Sequence, residues 1–551
     1  MKQNIKPLHI VLFSTALLAG NATVKAQTQP KDSTLNRTVV VENEYDPQIM
    51  DANKINLLPD IEEPKPAKKE IVYAQTVRPF TAFRYRAMPS YAPKPTQPDA
   101  TKCYINLGYG ETKNSNVTGE INYLFDLSEA DRLNVNAAFD GFNFDPDRAE
   151  LEGWKSRFYQ TQVKADYAHR FRSAELGVNA SFGSQAFNYR PLYKNTDKQR
   201  NLLGGVQLSV RSTDDSAAWQ YALEAGVGYF GRGYLYGADE SNSETNFRLK
   251  GGLSYSADGT NRAGLDLDVN QANFSFEGLE NCGLVGLTPY YNYTTDAVRL
   301  RVGARVDIRT GHDNGVAFAP DVKAEFPLAG RYTLYVQATG GTLLNEFFRF
   351  NSLTPYWGGY AGHDQLDNTH VQLDALAGFK ADLGENLWLN LYAGYELRKK
   401  EIGFFPNASG DVEPLSYSFM QGKANNLKVG FASAYQYKDI IDVSFRVDYR
   451  NWSTDDGRET VLYDKPKLDA QFDLLIHPAS RLNINLGYQY RNFAEGDRNA
   501  VSDLYAGADY RFFDFFSLWV KAANLTNAQY EYYLGYPTEG IHFMIGTSFR
   551  F

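Results

Sequence analysis

A chain of 551 residues with a mean hydropathy of −0.45, and no run of eighteen apolar residues after its first twenty, excludes a bundle of membrane helices. Its net charge of −9, with no basic patch, excludes nucleic acid as a partner, and two cysteines exclude a disulfide framework. Aromatic residues make up 14%, with 38 Tyr and 35 Phe against 6 Trp, a composition that fits the two interfacial girdles of a transmembrane β-barrel.

Residues 1–26 read as a secretory signal peptide: Lys2 and Lys6, an apolar stretch from Ile10 to Ala19, then Val24-Lys-Ala26 as a small-residue cleavage site. No cysteine stands at that site to carry a lipid anchor. Residues 27–100 hold 10 of the 22 prolines and many charges. Such a stretch buries too little apolar surface to offset its chain entropy, so it is expected to be an extended or disordered tail in the periplasm. Two β-prone islands interrupt it, Thr38-Val39-Val40-Val41 and Ile71–Val77, each able to add as an edge strand to a periplasmic protein.

From residue 101 to 551 the expected fold is all-β, a closed antiparallel transmembrane β-barrel. Leu482, Ile484, Leu486, Tyr488 and Tyr490 alternate with Asn483, Asn485, Gly487, Gln489 and Arg491, and the same period of two recurs through Leu133–Phe139, Leu265–Val269, Val298–Ile308 and Leu387–Leu397. Tight polar turns such as Gly384-Glu-Asn386 alternate with long connections such as Leu344–Asn368 and Phe405–Asn425, matching short periplasmic turns and long outer loops. Strands are expected to start near residues 102, 116, 132, 157, 174, 201, 218, 245, 262, 286, 297, 316, 331, 370, 386, 426, 440, 465, 481, 502, 515 and 541. That even count of about 22 puts both ends of the barrel on the periplasmic side. Cys103 falls on the first strand and Cys282 in an outer loop, too far apart to bridge.

The final strand places Ile541, Phe543, Ile545, Thr547, Phe549 and Phe551 on a lipid-facing side and His542, Met544, Gly546, Ser548 and Arg550 on a wet one. Together with Asn524-Leu-Thr-Asn527, Tyr530, Tyr536-Pro537 and Gly540, this terminus resembles the C-terminal end of TonB-dependent receptors, although Ile541 stands where that family usually has Arg. The resemblance implies a 22-stranded outer-membrane barrel acting in transport or uptake of a solute. It does not extend to the family's plug domain: residues 27–100 are roughly half the length a plug needs and lack its Gly- and Arg-rich motifs. Thr38–Val41 resembles the short strand that pairs with the energy-transducing protein TonB; the reading preferred over it is a β-prone patch of the tail or a contact for another protein. The alternative function is a non-transporting barrel that anchors an outer-membrane assembly, its tail binding periplasmic partners.

Candidate functional residues fall in three groups. Arg299, Arg301, Arg305, Asp307 and Arg309 share the lumen side of one strand, because an arginine facing the lipid midplane costs about 2–4 kcal/mol. They form either an anion-attracting pore wall or a set neutralised across the lumen by Asp266, Asp268, Glu396, Asp442 and Asp448. Tyr290, Tyr291, Tyr356, Trp357 and Tyr360 are expected in outer loops, as ligand platforms or as an interfacial belt. His363-Asp-Gln-Leu-Asp-Asn-Thr-His370 has ligand types without an established metal spacing, so no metal and no other cofactor is expected. No G-x-S-x-G, phosphate-cradling or H-E-x-x-H motif occurs, and an enzyme is not expected.

Overall fold

The computed structural model describes residues 102–551 except 112–114, 147–150, 191–197, 215, 234–240, 276–278, 329–330, 358–365, 384–385, 408–415 and 497. The signal segment, the tail, Thr38–Val41, Tyr360 and His363 therefore lie outside the described residues.

The strands run in chain order as β1 (Cys103–Glu111), β2 (Ser115–Asp126), β3 (Asp131–Phe144), β4 (Ser156–Arg170), β5 (Ala174–Asn188), β6 (Lys198–Ser212), β7 (Trp219–Arg232), β8 (Asn242–Ser256), β9 (Asn261–Phe274), β10 (Cys282–Thr294) and β11 (Arg299–Thr310). They continue as β12 (Gly315–Leu328), β13 (Tyr332–Leu343), β14 (Thr369–Asp382), β15 (Leu387–Asn407), β16 (Ser416–Tyr437), β17 (Ile441–Ser453), β18 (Pro466–Ala479), β19 (Leu482–Phe493), β20 (Val501–Phe513) and β21 (Phe516–Ala523). A short hairpin, β22 (Glu531–Tyr533) with β23 (Tyr536–Pro537), precedes the last barrel strand, β24 (His542–Arg550). One short helix, α1 (Phe347–Leu353), lies between β13 and β14.

From β1 to β21 each strand pairs antiparallel with its sequence neighbours, β21 pairs with β24 past the separate β22–β23 hairpin, and β24 pairs with β1 from Tyr104↔Arg550 to Tyr109↔Ile545, closing a 22-stranded sheet on itself. Closure leaves no free edge, the condition a sheet must meet to sit in hydrocarbon. Both ends of the barrel meet at the rim that carries the short turns, where Cys103 N–H donates to the Phe551 carbonyl at 3.1 Å. The period of two holds around the wall: Phe543 and Ile545 are 49% and 58% exposed outward, while Met544 and Ser548 are buried inward.

The expected strand starts agree with the observed ones within a few residues except on β16, which begins at Ser416 rather than near 426. β15 and β16 are 21 and 22 residues long and carry on past a register shift between Arg398 and Glu401, where Lys400 adopts φ 54°. That bulge breaks the alternation that marks a strand in the sequence. β10 and β11 are separate strands, as the even count requires.

The seam depends on two small residues. Gly108 on β1 faces Gly546 on β24, and Trp519 of β21 lies across both from the lumen side, its indole N–H donating to Asn106 Oδ1 at 2.6 Å. A Cβ at either glycine would collide with the Trp519 ring. Gly546→Val is expected to displace Trp519 and destabilise the closed barrel by about 1–3 kcal/mol, read as a lower temperature for loss of the compact, heat-modifiable gel form. An unchanged transition would show that the indole yields freely.

Candidate functional site: the outer mouth

A ring of this strand number encloses a lumen that inward side chains alone do not fill. At the end bearing the long connections, the outer end in barrels of this kind, the opening is crossed by an aromatic core. Phe158 on β4, Phe187 on β5 and Phe230 on β7 supply one wall, and Phe404 on β15 and Phe419 on β16 supply another. Trp154 enters from the β3–β4 connection, and Tyr530, Tyr532, Tyr533 and Tyr536 from the β21–β24 connection. Residues 347–357 lie between these walls: Phe347, Phe350 and Trp357 are each 0% exposed.

The ring contacts run across the opening. Tyr356 stacks on Tyr536 at 3.7 Å and meets Phe187 edge-on at 5.3 Å, while Phe350 packs on Phe419 at 4.5 Å and Trp357 lies 5.1 Å from Phe347. Aromatic pairs in these geometries add about 0.5–1.5 kcal/mol each beyond their burial. At its far end the segment meets β16 through one isolated bridge, Trp357 opposite Tyr417, with the Tyr417 N–H donating to the Tyr356 carbonyl at 3.1 Å.

Polar contacts pin the same segment to the inner wall. The Phe347 N–H donates to the Glu244 carboxylate on β8, and Asn246 donates to Glu346, which also accepts from Arg248 Nη2 at 2.6 Å. Asn201 Nδ2 donates to Asn351 Oδ1 at 2.9 Å, and Asn351 Nδ2 to Gln185 Oε1 at 3.1 Å. Arg232 donates to the Trp357 carbonyl and lies 4.1 Å over its ring. Arg349 reaches Glu401 at 3.7 Å, where Arg398 at 3.1 Å and Lys465 also converge. Few of these partners stand out in the sequence.

The five charged residues expected together do share one strand, β11, each inside an ion pair. Arg299 meets Glu325 at 3.7 Å, and Arg301 meets Asp321 at 2.6 Å and Asp266 at 2.7 Å over the Tyr290 ring. Arg305 meets Asp307 at 2.7 Å and Asp268 at 3.2 Å, and Arg309 meets Asp313 at 2.6 Å. Asp266 and Asp268 are partners as anticipated. Glu396, Asp442 and Asp448 are not: they face Arg398 and Lys428, His477, and Arg446. Neighbouring strands lie about 4.8 Å apart, within side-chain reach, whereas the far wall is not.

The aromatic expectations need correction. Tyr290 and Tyr291 belong to β10 near the short-turn rim rather than to an outer loop: Tyr290 lies under Arg301 and Tyr291 faces outward, 44% exposed. Thr288-Pro-Tyr-Tyr-Asn-Tyr293 has loop composition, yet it pairs with β9 and β11. Tyr356 and Trp357 do lie in an outer connection, but at 5% and 0% exposure they form core rather than an open ligand platform. Cys282 begins β10 rather than sitting in a loop, and both cysteines are free.

No protein-family model matches this sequence, and no curated protein matches it. Solved structures do. The siderophore receptor PirA from Pseudomonas aeruginosa aligns at 13% identity and TM-score 0.58, over 84% of this chain and 81% of the receptor. The FrpB iron transporter from Neisseria meningitidis aligns at 9% and 0.63, over 82% and 81%, and the copper transporter OprC at 12% and 0.58, over 82% and 80%. The fold is that of an outer-membrane receptor barrel. At these identities the likeness concerns architecture alone.

One ionisable group outside the strands ties the barrel's mouth to pH. Glu539, between β23 and β24, is fully buried and accepts from Asn116 Nδ2 on β2 at 3.0 Å. Burial pushes its carboxyl up from an ordinary 4.5 to about 8. The folded state therefore holds this proton where the unfolded chain releases it, and the resulting stability, complete below pH 4.5, is lost as pH rises to about 8. Glu539→Gln is expected to flatten that part of the profile, unfolding at a higher temperature than the parent at pH 8 and with it near pH 4.5. Parallel profiles at every pH would contradict this.

Proposed function

We propose that this protein carries a solute across the outer membrane through a lumen that its own outer connections hold shut. The observation that carries the reading is the aromatic core at the mouth of a receptor-type barrel: passage from outside requires residues 344–357 to leave the inner wall. The chemistry fits a movable closure, since beside its aromatic packing the segment is fastened by polar groups, Glu244, Asn246, Asn201 and Arg232, that water can satisfy once it undocks. The neutralised β11 arginines favour a wet, charge-balanced wall over an anion filter. Neighbours of this architecture are a siderophore receptor, an iron transporter and a copper transporter, so chelated or free transition metals head the candidate solutes. Energy for opening is assigned to a periplasmic partner reached through residues 27–100, with Thr38, Val39, Val40 and Val41 as a TonB-type contact.

The test is retention in proteoliposomes loaded with ferric siderophore, copper and a neutral oligosaccharide. The intact barrel is expected to retain all three, and a barrel lacking residues 347–357 to release at least one. Retention by both would refute transport through this lumen. The size and polish of the core favour a second reading, in which the barrel is a permanently closed anchor for an assembly held by its tail; retention by both forms is what that reading expects.

A further inference from the structure

A second site lies on the outside of the wall. On β4, Arg157, Tyr159 and Val163 share the outward face; on β6, Lys198, Arg200 and Val206 do the same. Arg157, Lys198 and Arg200 are all exposed. The register sets Tyr159 against Ala186 and Ala186 against Arg200, with Lys198 opposite Asn188, whose side chain accepts the Arg157 N–H at 2.8 Å. The three cations therefore occupy adjoining rows on β4 and β6, two strands or about 10 Å apart, with Ala186 and Asn188 of β5 between them. None has a carboxylate partner among the described residues. Their neighbours are engaged, Lys155 with Asp145 at 3.4 Å and Arg190 with the Gly535 carbonyl at 2.9 Å.

Their height on the wall is set by aromatic residues. Tyr159 and Tyr167 bracket the apolar stretch of β4, and Tyr229 and Tyr221 that of β7. Eight residues of tilted strand span about 20 Å, close to the apolar band of such barrels. Arg157 and Arg200 thus stand just past the girdle at the long-loop end, where lipid headgroups lie.

Four to six residues farther along these strands, toward the membrane centre, the wall carries a shallow depression. Ala180 and Gly204 leave a groove of about 460 Å³ between Val163, Phe182, Val206 and Tyr229, open to the outside and almost wholly apolar. Flat or convex apolar wall is all that bulk lipid needs. A depression below cations with no carboxylate partner among the described residues offers an acyl chain a seat and its headgroup phosphates three cationic groups, with the arginines able to bind phosphate through two N–H groups at once.

We propose that this face binds one phosphorylated lipid of the outer leaflet, an acyl chain lying in the Gly204 groove and its phosphates on Arg157, Lys198 and Arg200. The assignment rests on the long-loop end being the outer one and is independent of what the lumen carries. The full chain in detergent is incubated with diphosphoryl lipid A, phosphatidylethanolamine or inorganic phosphate, and bound species are counted by native mass spectrometry. The parent is expected to retain diphosphoryl lipid A at least tenfold over the Arg157→Gln/Lys198→Gln/Arg200→Gln variant, and neither other probe comparably. Gly204→Leu, which fills the groove without altering charge, is expected to lower retention as well. Equal retention by parent and triple variant, equal retention of phosphatidylethanolamine, or phosphate binding as strong as lipid would each overturn the proposal. Should the triple variant lose the heat-modifiable form, the single variants Arg157→Gln and Arg200→Gln carry the same comparison.

Discussion

Replacing residues 347–357 with a glycine-serine linker is expected to turn a silent barrel into a conducting one. The segment contributes Phe347, Phe350 and Trp357, none with any exposed surface, and it lies between the Phe187–Phe230 wall and the Phe404–Phe419 wall. Truncating one buried aromatic side chain costs about 3–5 kcal/mol, so loss of three removes the centre of the packed bridge and leaves the Tyr536–Tyr417 contact at its side. The strands do not depend on it, because the backbone ladder closes through β1 and β24. In planar bilayers the parent should show no steady current and the linker variant stable steps. A linker variant as silent as the parent would place the seal elsewhere.

Glu401→Ala is expected to be the most damaging single substitution at the mouth. Its carboxylate is 1% accessible and faces Arg349 of α1, Arg398 of β15 and Lys465 beside β18. Removing one member of a buried ionic cluster costs about 3–5 kcal/mol; Arg398 keeps Glu396 at 2.5 Å, while Arg349 and Lys465 lose this carboxylate. Because Arg349 is an ionic tie between α1 and this wall, beside the Phe350–Phe419 contact, the variant should lose thermal stability and leak intermittently. Glu401→Gln, which keeps shape and part of the hydrogen bonding, should fall between. Thermal unfolding followed by circular dichroism reads the first effect; a Glu401→Ala transition matching the parent would mean that the three cations find other partners.

The barrel was readable because a wall with lipid on one side and water on the other imposes its period of two on nearly every strand. It failed where that demand lapses. β16 begins ten residues early because the β15–β16 hairpin carries on past a bulge at Lys400, and Thr288–Tyr293 passed for a loop because Pro289 and the tyrosines carry loop composition inside a paired strand. The lumen side of β11 was evident from alternation, but its partners follow strand adjacency, which becomes useful only once register is known. The closure at the mouth left one clue: Phe347-Phe-Arg-Phe350 is too apolar for an ordinary outer loop. Its seats on Gln185, Asn201, Arg232 and Glu244 are scattered over four strands, and no local pattern gathers them.

The inward position of this segment can be tested without knowing the solute. With Cys103 and Cys282 replaced by serine, Asn201→Cys/Asn351→Cys in outer membranes should be joined by a short bifunctional thiol reagent, since Asn201 Nδ2 and Asn351 Oδ1 lie 2.9 Å apart inside the mouth. Efficient cross-linking, with none between Asn201→Cys and a cysteine at outward-facing Phe543, is the expected result. Two thiols that both react singly with a bulky maleimide, yet never with each other, would contradict a barrel sealed by its own loop.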